Sequence, residues 1–191
     1  MEQNLDRRIR RTKNLLKSGL FDLMEQKSIN EITIKELTER VDINRGTFYL
    51  HYKDIFELLE DIELELMEEL KEVCQKIPSE QVTKDSPFPF LTDIFIFLGK
   101  HAKEATILLG PHGDPAFVVQ VKEMIKARCI NDWMSLYKNA DPIYYEYFYS
   151  FIVEGCIGLF KTWLATGQQQ TPKQMGRIAL EMISGGIHLL S

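Results

Sequence analysis

The chain has 191 residues, 45% of them hydrophobic, with a formal net charge of −5. That is enough for one buried core or two small ones. The three cysteines, Cys74, Cys129 and Cys156, are scattered and odd in number. This excludes a disulfide framework and favours buried thiols in a reducing compartment. The charge is unevenly spread. Residues 1–53 hold 11 Lys/Arg against 8 Asp/Glu, and residues 54–191 hold 12 against 20. The positive potential therefore belongs to the N-terminal end, which includes the cluster Arg7, Arg8, Arg10, Arg11 and Lys13. The early arginines are not followed by an apolar stretch, so no signal peptide is expected.

In chain order, Ile9, Leu16, Leu20 and Leu23 make the apolar face of a first helix ending near Gln26. Thr33 and Glu36 then form a capping box for a second helix from Ile34. Its stripe is Ile34, Leu37 and Val41. Asp42 breaks the pattern, Ile43 points back to the core, and Asn44 is an N-cap for a third helix from Arg45. That helix carries Arg45, Thr47, Tyr49, Leu50 and His51 around one apolar anchor, Phe48. Two short helices about a tight turn, the second crowded with polar and aromatic groups, suit the major groove of double-stranded DNA. Arg45 is long enough to reach a guanine O6 and N7. Gly46 permits close backbone approach, and Leu50 is placed to press a thymine methyl.

The stretch from about Arg7 to Leu59, above all Arg45-Gly46-Thr47-Phe48-Tyr49-Leu50-His51-Tyr52, resembles the DNA-binding domain of TetR/AcrR-family transcriptional regulators. The resemblance implies an all-α homodimer that usually represses and is released by a ligand. It implies that Lys35 reaches a base or a phosphate, and that Thr33, Thr47, Tyr49, His51 and Lys53 position the protein on phosphates. Three positions depart from the family pattern. Thr38 and Asp42 stand where alanine and glycine are usual, and Ile55 stands where a lysine usually reaches a phosphate. That last contact is either missing or taken over by Lys53.

The remainder reads as helices too. Asp54 and Glu57 cap a helix running to about Lys76, with the stripe Phe56, Leu59, Ile62, Leu66 and Leu70. A loop at 78–89 precedes helices near 90–101 and 103–109 and a turn at 110–113. Asp114-Pro115, Asp141-Pro142 and Thr171-Pro172 open three more helices with a cap and a first-turn proline. No stretch demands strands, so the expected fold is all-α, with a helix-turn-helix domain at 1–53 and a regulatory and dimerisation bundle at 54–191. The last two helices are the candidates for self-association. Small residues there, Gly155 and Gly158 with Gly185 and Gly186, admit a second helix. Trp163, Met175, Ile178, Met182 and Ile183 supply apolar area. The segment from Phe151 to Leu164 is too short and too charged to span a bilayer.

The segment around Gly155, Trp163, Gly167 and Pro172 also resembles the C-terminal domain of a TetR subset that includes regulators of dihydroxyacetone kinase operons. One member of that subset is an activator governed by a protein partner. Two inputs therefore stay open: a small apolar or aromatic effector held by bundle aromatics, or a protein partner. Tyr144, Tyr145, Tyr147 and Tyr149 cannot all face inward. His51, His101, His112 and His188 lack metal-ligand spacing, and no phosphate loop or nucleophile motif occurs. The expectation is a cytoplasmic regulator with no enzymatic activity, cofactor or metal.

Overall fold

The computed structural model of the chain describes residues 2–84 and 88–184, with side chains from Arg7 onward. Gly185, Gly186 and His188 lie outside the described residues. Among the described residues there are nine α-helices and no β-strand. They are α1 (Glu2–Met24), α2 (Ile34–Arg40), α3 (Arg45–Tyr49), α4 (Ile55–Gln75), α5 (Leu91–Lys100), α6 (Ala102–Leu108), α7 (Pro115–Leu136), α8 (Pro142–Ala165) and α9 (Pro172–Ser184). The fold is all-α, as expected.

Helix starts follow the local chemistry that marks them in the sequence. Thr33 Oγ1 accepts the Glu36 N–H at 3.2 Å, and Asn44 Oδ1 accepts the Gly46 N–H at 2.7 Å. Asp54, Asp114 and Asp141 do the same for Glu57, Ala116 and Ile143 at 2.8, 2.7 and 3.0 Å. Thr171 Oγ1 accepts the Gln174 N–H at 3.3 Å. Each bond satisfies a first-turn amide that has no carbonyl partner within its own helix.

The chain divides into two compact units, residues 1–67 with 103–117 and residues 68–102 with 118–191. In the first, Leu16, Leu20, Phe21, Leu23 and Met24 of α1 are buried, together with Leu37, Phe48, Tyr52, Ile55, Leu58, Leu59 and Ile62. Two expectations of facing need correction. Ile9 is 37% exposed, because the buried stripe of α1 begins only at Leu16. Phe56 is 54% exposed, because the inward stripe of α4 is Ile55, Leu58, Leu59 and Ile62, the i, i+3, i+4, i+7 set. Ile55, at the position where the family has a lysine, is therefore a core residue. Helices α1 and α2 cross at Gly19, where a Cβ would stand 2.3 Å from Val41 Cγ1. Lys103 of α6 pairs with Asp22 and, at 3.4 Å, with Glu25. His112 Nδ1 lies 3.1 Å from the Met24 carbonyl.

The second unit has an aromatic core. The Trp133 ring lies 5.1 Å from Phe88 and 5.3 Å from Phe148 between centroids. Helix α9 packs on α5 at Gly176, where a Cβ would stand 2.6 Å from Thr92 Cα. Tyr145 and Tyr149 point inward and donate to the Tyr137 and Lys122 carbonyls, whereas Tyr144 and Tyr147 are 48% and 65% exposed. The apolar segment is longer than Phe151–Leu164. Helix α8 has 24 residues and is long and apolar enough to cross a membrane by length and composition. Six of its side chains, Tyr145, Phe148, Tyr149, Ile152, Phe160 and Trp163, are buried against the rest of the chain. Lys126 and Lys122 of α7 pair with its Glu146 and Glu154. Burial pushes the Cys74 and Cys156 thiols up to about 11, and Cys129 higher still.

Candidate nucleic-acid interface

The α2–α3 turn is built from three local solutions. Asp42 takes the left-handed conformation, φ 52°, at the turn between α2 and α3, and a short polar side chain tolerates it at modest cost. The Ile43 N–H then reaches the Thr38 carbonyl at 3.0 Å. Thr38, buried where alanine is usual, satisfies its hydroxyl by donating to the Ile34 carbonyl at 2.8 Å. Beneath α3, Phe48 is fully buried and its ring sits 6.0 Å from that of Tyr52. The Tyr52 hydroxyl donates to Asp61 Oδ2 at 2.6 Å, and Lys13 Nζ lies 3.2 Å from the same oxygen. One carboxylate of α4 thus fixes the end of the α3 segment and ties it to α1.

On this base the candidate residues all reach the surface. Thr33, Lys35, Arg45, Gly46 and Lys53 are exposed, and Thr47 and His51 are half-buried. Tyr49 is 59% exposed and Leu50 81%, a large apolar area left open. Helix α3 is shorter than expected. It ends at Tyr49, and Leu50 and His51 lie in the turn that follows, where the His51 and Tyr52 N–H groups both reach the Phe48 carbonyl at 2.9 and 3.0 Å. Gly46 has a second reason to be glycine, since a Cβ would approach the capping oxygen of Asn44 to 3.2 Å.

Charge sorts the cations of this unit. Lys13, Lys17, Lys27, Lys35, Arg40 and Lys103 each face a carboxylate. Arg7, Arg8, Arg10, Arg11, Arg45 and Lys53 form no ion pair among the described residues. The unpaired positive charge therefore gathers at the start of α1 and around α3; the sequence already marks the basic cluster, and the structure adds that Lys13 is paired with Asp61 while its four arginines are not.

The candidates for self-association separate into two groups. Trp163, Met175 and Ile183 are 3–5% exposed inside their own protomer, and Ile178 is half-buried. The Trp163 indole N–H donates to the Gln170 carbonyl at 2.9 Å. Gly155 and Gly158, by contrast, face open space, with nothing within 4 Å of a built Cβ. Met182 is 61% exposed, as are Phe151 at 67% and Tyr147 at 65%. Tyr147, Phe151, Gly155 and Gly158 recur at helical spacing along α8 and form one outward stripe.

Comparison with known proteins bears on the family and the fold. A model of the TetR transcriptional regulator C-terminal region matches residues 85–185, just over half of the chain. An uncharacterized HTH-type transcriptional regulator of Bacillus subtilis, YxbF, is 37% identical over 57 residues, which is 30% of this chain and only 14% of that protein. A TetR transcriptional regulator from Streptococcus agalactiae has the same fold, with a TM-score of 0.63 and 21% identity over 96% of this chain and 99% of that one. The dihydroxyacetone kinase operon activator DhaS is similar at a TM-score of 0.57, with 14% identity over 93% of this chain and 97% of its own. FadR from Bacillus subtilis, seen with stearoyl-CoA, has a TM-score of 0.62, with 16% identity over 91% and 98% of the two chains. The chain belongs to the TetR family of transcriptional regulators, and it is a regulator rather than an enzyme.

Proposed function

We propose that the protein is a cytoplasmic, sequence-specific DNA-binding repressor that acts as a homodimer on a palindromic operator. Residues 1–53 read the DNA, and residues 54–191 dimerise and receive the releasing input. The observation that carries this reading is the surface of the α3 segment. Arg45 is unpaired, Tyr49 and Leu50 are largely exposed, and beneath them Phe48 and Tyr52 are buried, with the Tyr52 hydroxyl bonded to Asp61. Arg45, Lys35, Gly46 and Leu50 are assigned to base edges. Thr33, Thr47, Tyr49, His51 and Lys53 are assigned to phosphates. Two copies place their α3 segments in successive major grooves, about 34–36 Å apart. The releasing input tilts α4 and alters that separation. A salt-titrated selection of DNA sites by the purified protein tests the reading. One recovered palindrome, with affinity falling steeply as salt rises, is the expected result. Recovery of nothing above background overturns it.

The exposed stripe of α8 and Met182 favours a second reading of the input. Apolar area of this kind on the regulatory bundle suits a docking protein as well as a second copy. A sedimentation measurement separates the two. A stable dimer assigns the stripe to self-association, and a monomer leaves it to a protein partner in place of a small apolar or aromatic effector.

A further inference from the structure

Arg128 of α7 holds the C-terminal end of α4. Its Nη2 donates at 2.7 Å to the carbonyl of Ile77, two residues past the last residue of that helix. Its Nε donates at 2.8 Å to Asp132 Oδ2, one turn further along α7. The guanidinium carbon lies 5.8 Å from the ring centre of Phe90, the residue before α5. The Asp132 side chain is 1% exposed, and its Oδ1 has no hydrogen-bond partner among the described residues. A buried ion pair with an idle oxygen is a poor stabiliser, because desolvation offsets the attraction and apolar side chains of similar size pack at less cost. What such a pair supplies is direction. Leu70 and Cys74 also bury the last turns of α4, but apolar burial is non-directional and tolerates sliding and rotation. A charge-assisted bond to one carbonyl fixes where the helix stops. A cation at that point also complements the negative end of the helix dipole.

Helix α4 runs unbroken through residues 67 and 68, where the two compact units divide. Its 21 residues span roughly 30 Å at about 1.5 Å each. A tilt of about 6° at one end therefore moves the other by roughly 3 Å, close to the rise of one base pair. We propose that the Arg128–Asp132 pair is the clamp that fixes the register of α4 and, through it, the half-site spacing that the dimer accepts. Both are positioning residues that act through α4. The inference rests on the reading of a homodimer whose α4 sets the separation of its α3 segments, and it names the side chains that hold α4 in the bound state.

The test uses the full-length protein, its selected operator, and a second duplex with one base pair inserted between the half-sites. Arg128→Met combined with Asp132→Leu replaces the pair by apolar side chains of similar size. The fold is then kept, with a urea midpoint at or above the wild-type value. Wild type is expected to bind the lengthened site about tenfold or more weakly, the scale of one mismatched base pair. The double variant is expected to lower that ratio by about fivefold or more. Loss of a merely structural contact reduces the active fraction on both duplexes alike and leaves the ratio unchanged. A folded double variant with the wild-type ratio therefore overturns the proposal while leaving the DNA reading intact. If the double variant does not fold, Asp132→Asn decides, since it keeps a neutral acceptor for the Arg128 Nε. A lowered ratio then supports the clamp, and an unchanged one rejects it. Wild type indifferent to the inserted base pair removes the fixed spacing on which the clamp depends. Wild-type protein that binds no duplex removes the DNA reading itself.

Discussion

Arg45 is exposed, unpaired and first in a capped helix, so its side chain is available to a base edge. Arg45→Ala is expected to cost about 1–3 kcal/mol on the selected operator and to relax preference at one base pair. Quantitative binding to the operator and its single-base variants checks this, and unchanged affinity rejects the assignment. Tyr52 acts one layer below. Burial pushes the Asp61 carboxyl up, but the Tyr52 hydroxyl and the Lys13 ammonium outweigh it and hold it below the ordinary carboxylate value. Tyr52→Phe removes a hydrogen bond to a charged group and is expected to lower stability by roughly 1–2 kcal/mol, read as a lower urea midpoint. Glu63 of α4 behaves oppositely. Burial first, then the nearby Asp114 and Glu60 carboxylates, push its carboxyl up to about 7 from 4.5, and its Oε1 has no hydrogen-bond partner. The folded state therefore holds a proton that the unfolded state releases earlier. Stability from this group is undiminished below pH 4.5, falls as pH rises from 4.5 to about 7, and is level beyond. Glu63→Gln should flatten that fall, as urea midpoints of both proteins across pH 4.5 to 8 will show.

At the scale of elements, two helix crossings depend on the absence of a side chain. At Gly19 an added Cβ meets the Val41 methyl at 2.3 Å, and at Gly176 it meets the Thr92 backbone Cα at 2.6 Å. Alanine would gain about 0.5–1 kcal/mol of helix propensity at either site. The overpacking penalty, about 1–3 kcal/mol, outweighs it. Gly176→Ala should be the more damaging, because backbone cannot rotate aside as a side chain can. Comparison of the two urea midpoints tests the order, and equal stability of the variants and wild type would remove the crossing argument. The facing of α4 and the length of α3 belong to this scale as well. Helix α4 turns Ile55 into the core, and α3 ends early because Phe48 and Tyr52 turn the chain back inward.

At the scale of the whole molecule, the glycines of α8 give a clean test of self-association. Gly158 is exposed and a Cβ built on it meets nothing within 4 Å, so Gly158→Leu is expected to be accommodated within the chain and adds a better helix former. The variant is expected to fold at least as stably as wild type and, on the homodimer proposed above, to dissociate, which sedimentation equilibrium measures. A dimer of unaltered strength would move the interface elsewhere. The division of charge has a consequence at this scale too. Residues 54–191 carry 12 Lys/Arg against 20 Asp/Glu, so on the proposed function this acidic part is expected to repel a duplex and the basic N-terminal part to face it.

The sequence by itself determined the helices, their caps and the family. Capping boxes, first-turn prolines and the left-handed Asp42 act within about four residues, so their chemistry is complete in a short window of chain. The resemblance from Arg45 to Tyr52 likewise sits in one contiguous run. Only the tertiary structure decided which apolar faces are inward, because α8 is apolar on both sides and periodicity cannot choose between Tyr145 and Tyr147. It alone distinguished a glycine at a helix crossing, Gly176, from one facing open space, Gly158. It alone put Trp163, Met175 and Ile183 inside the protomer. It also decided which cations are paired with carboxylates. Lys13 meets a partner 48 residues away, while Arg8 and Arg11 meet none among the described residues. Such pairings depend on where distant segments pack, and no local spacing encodes that.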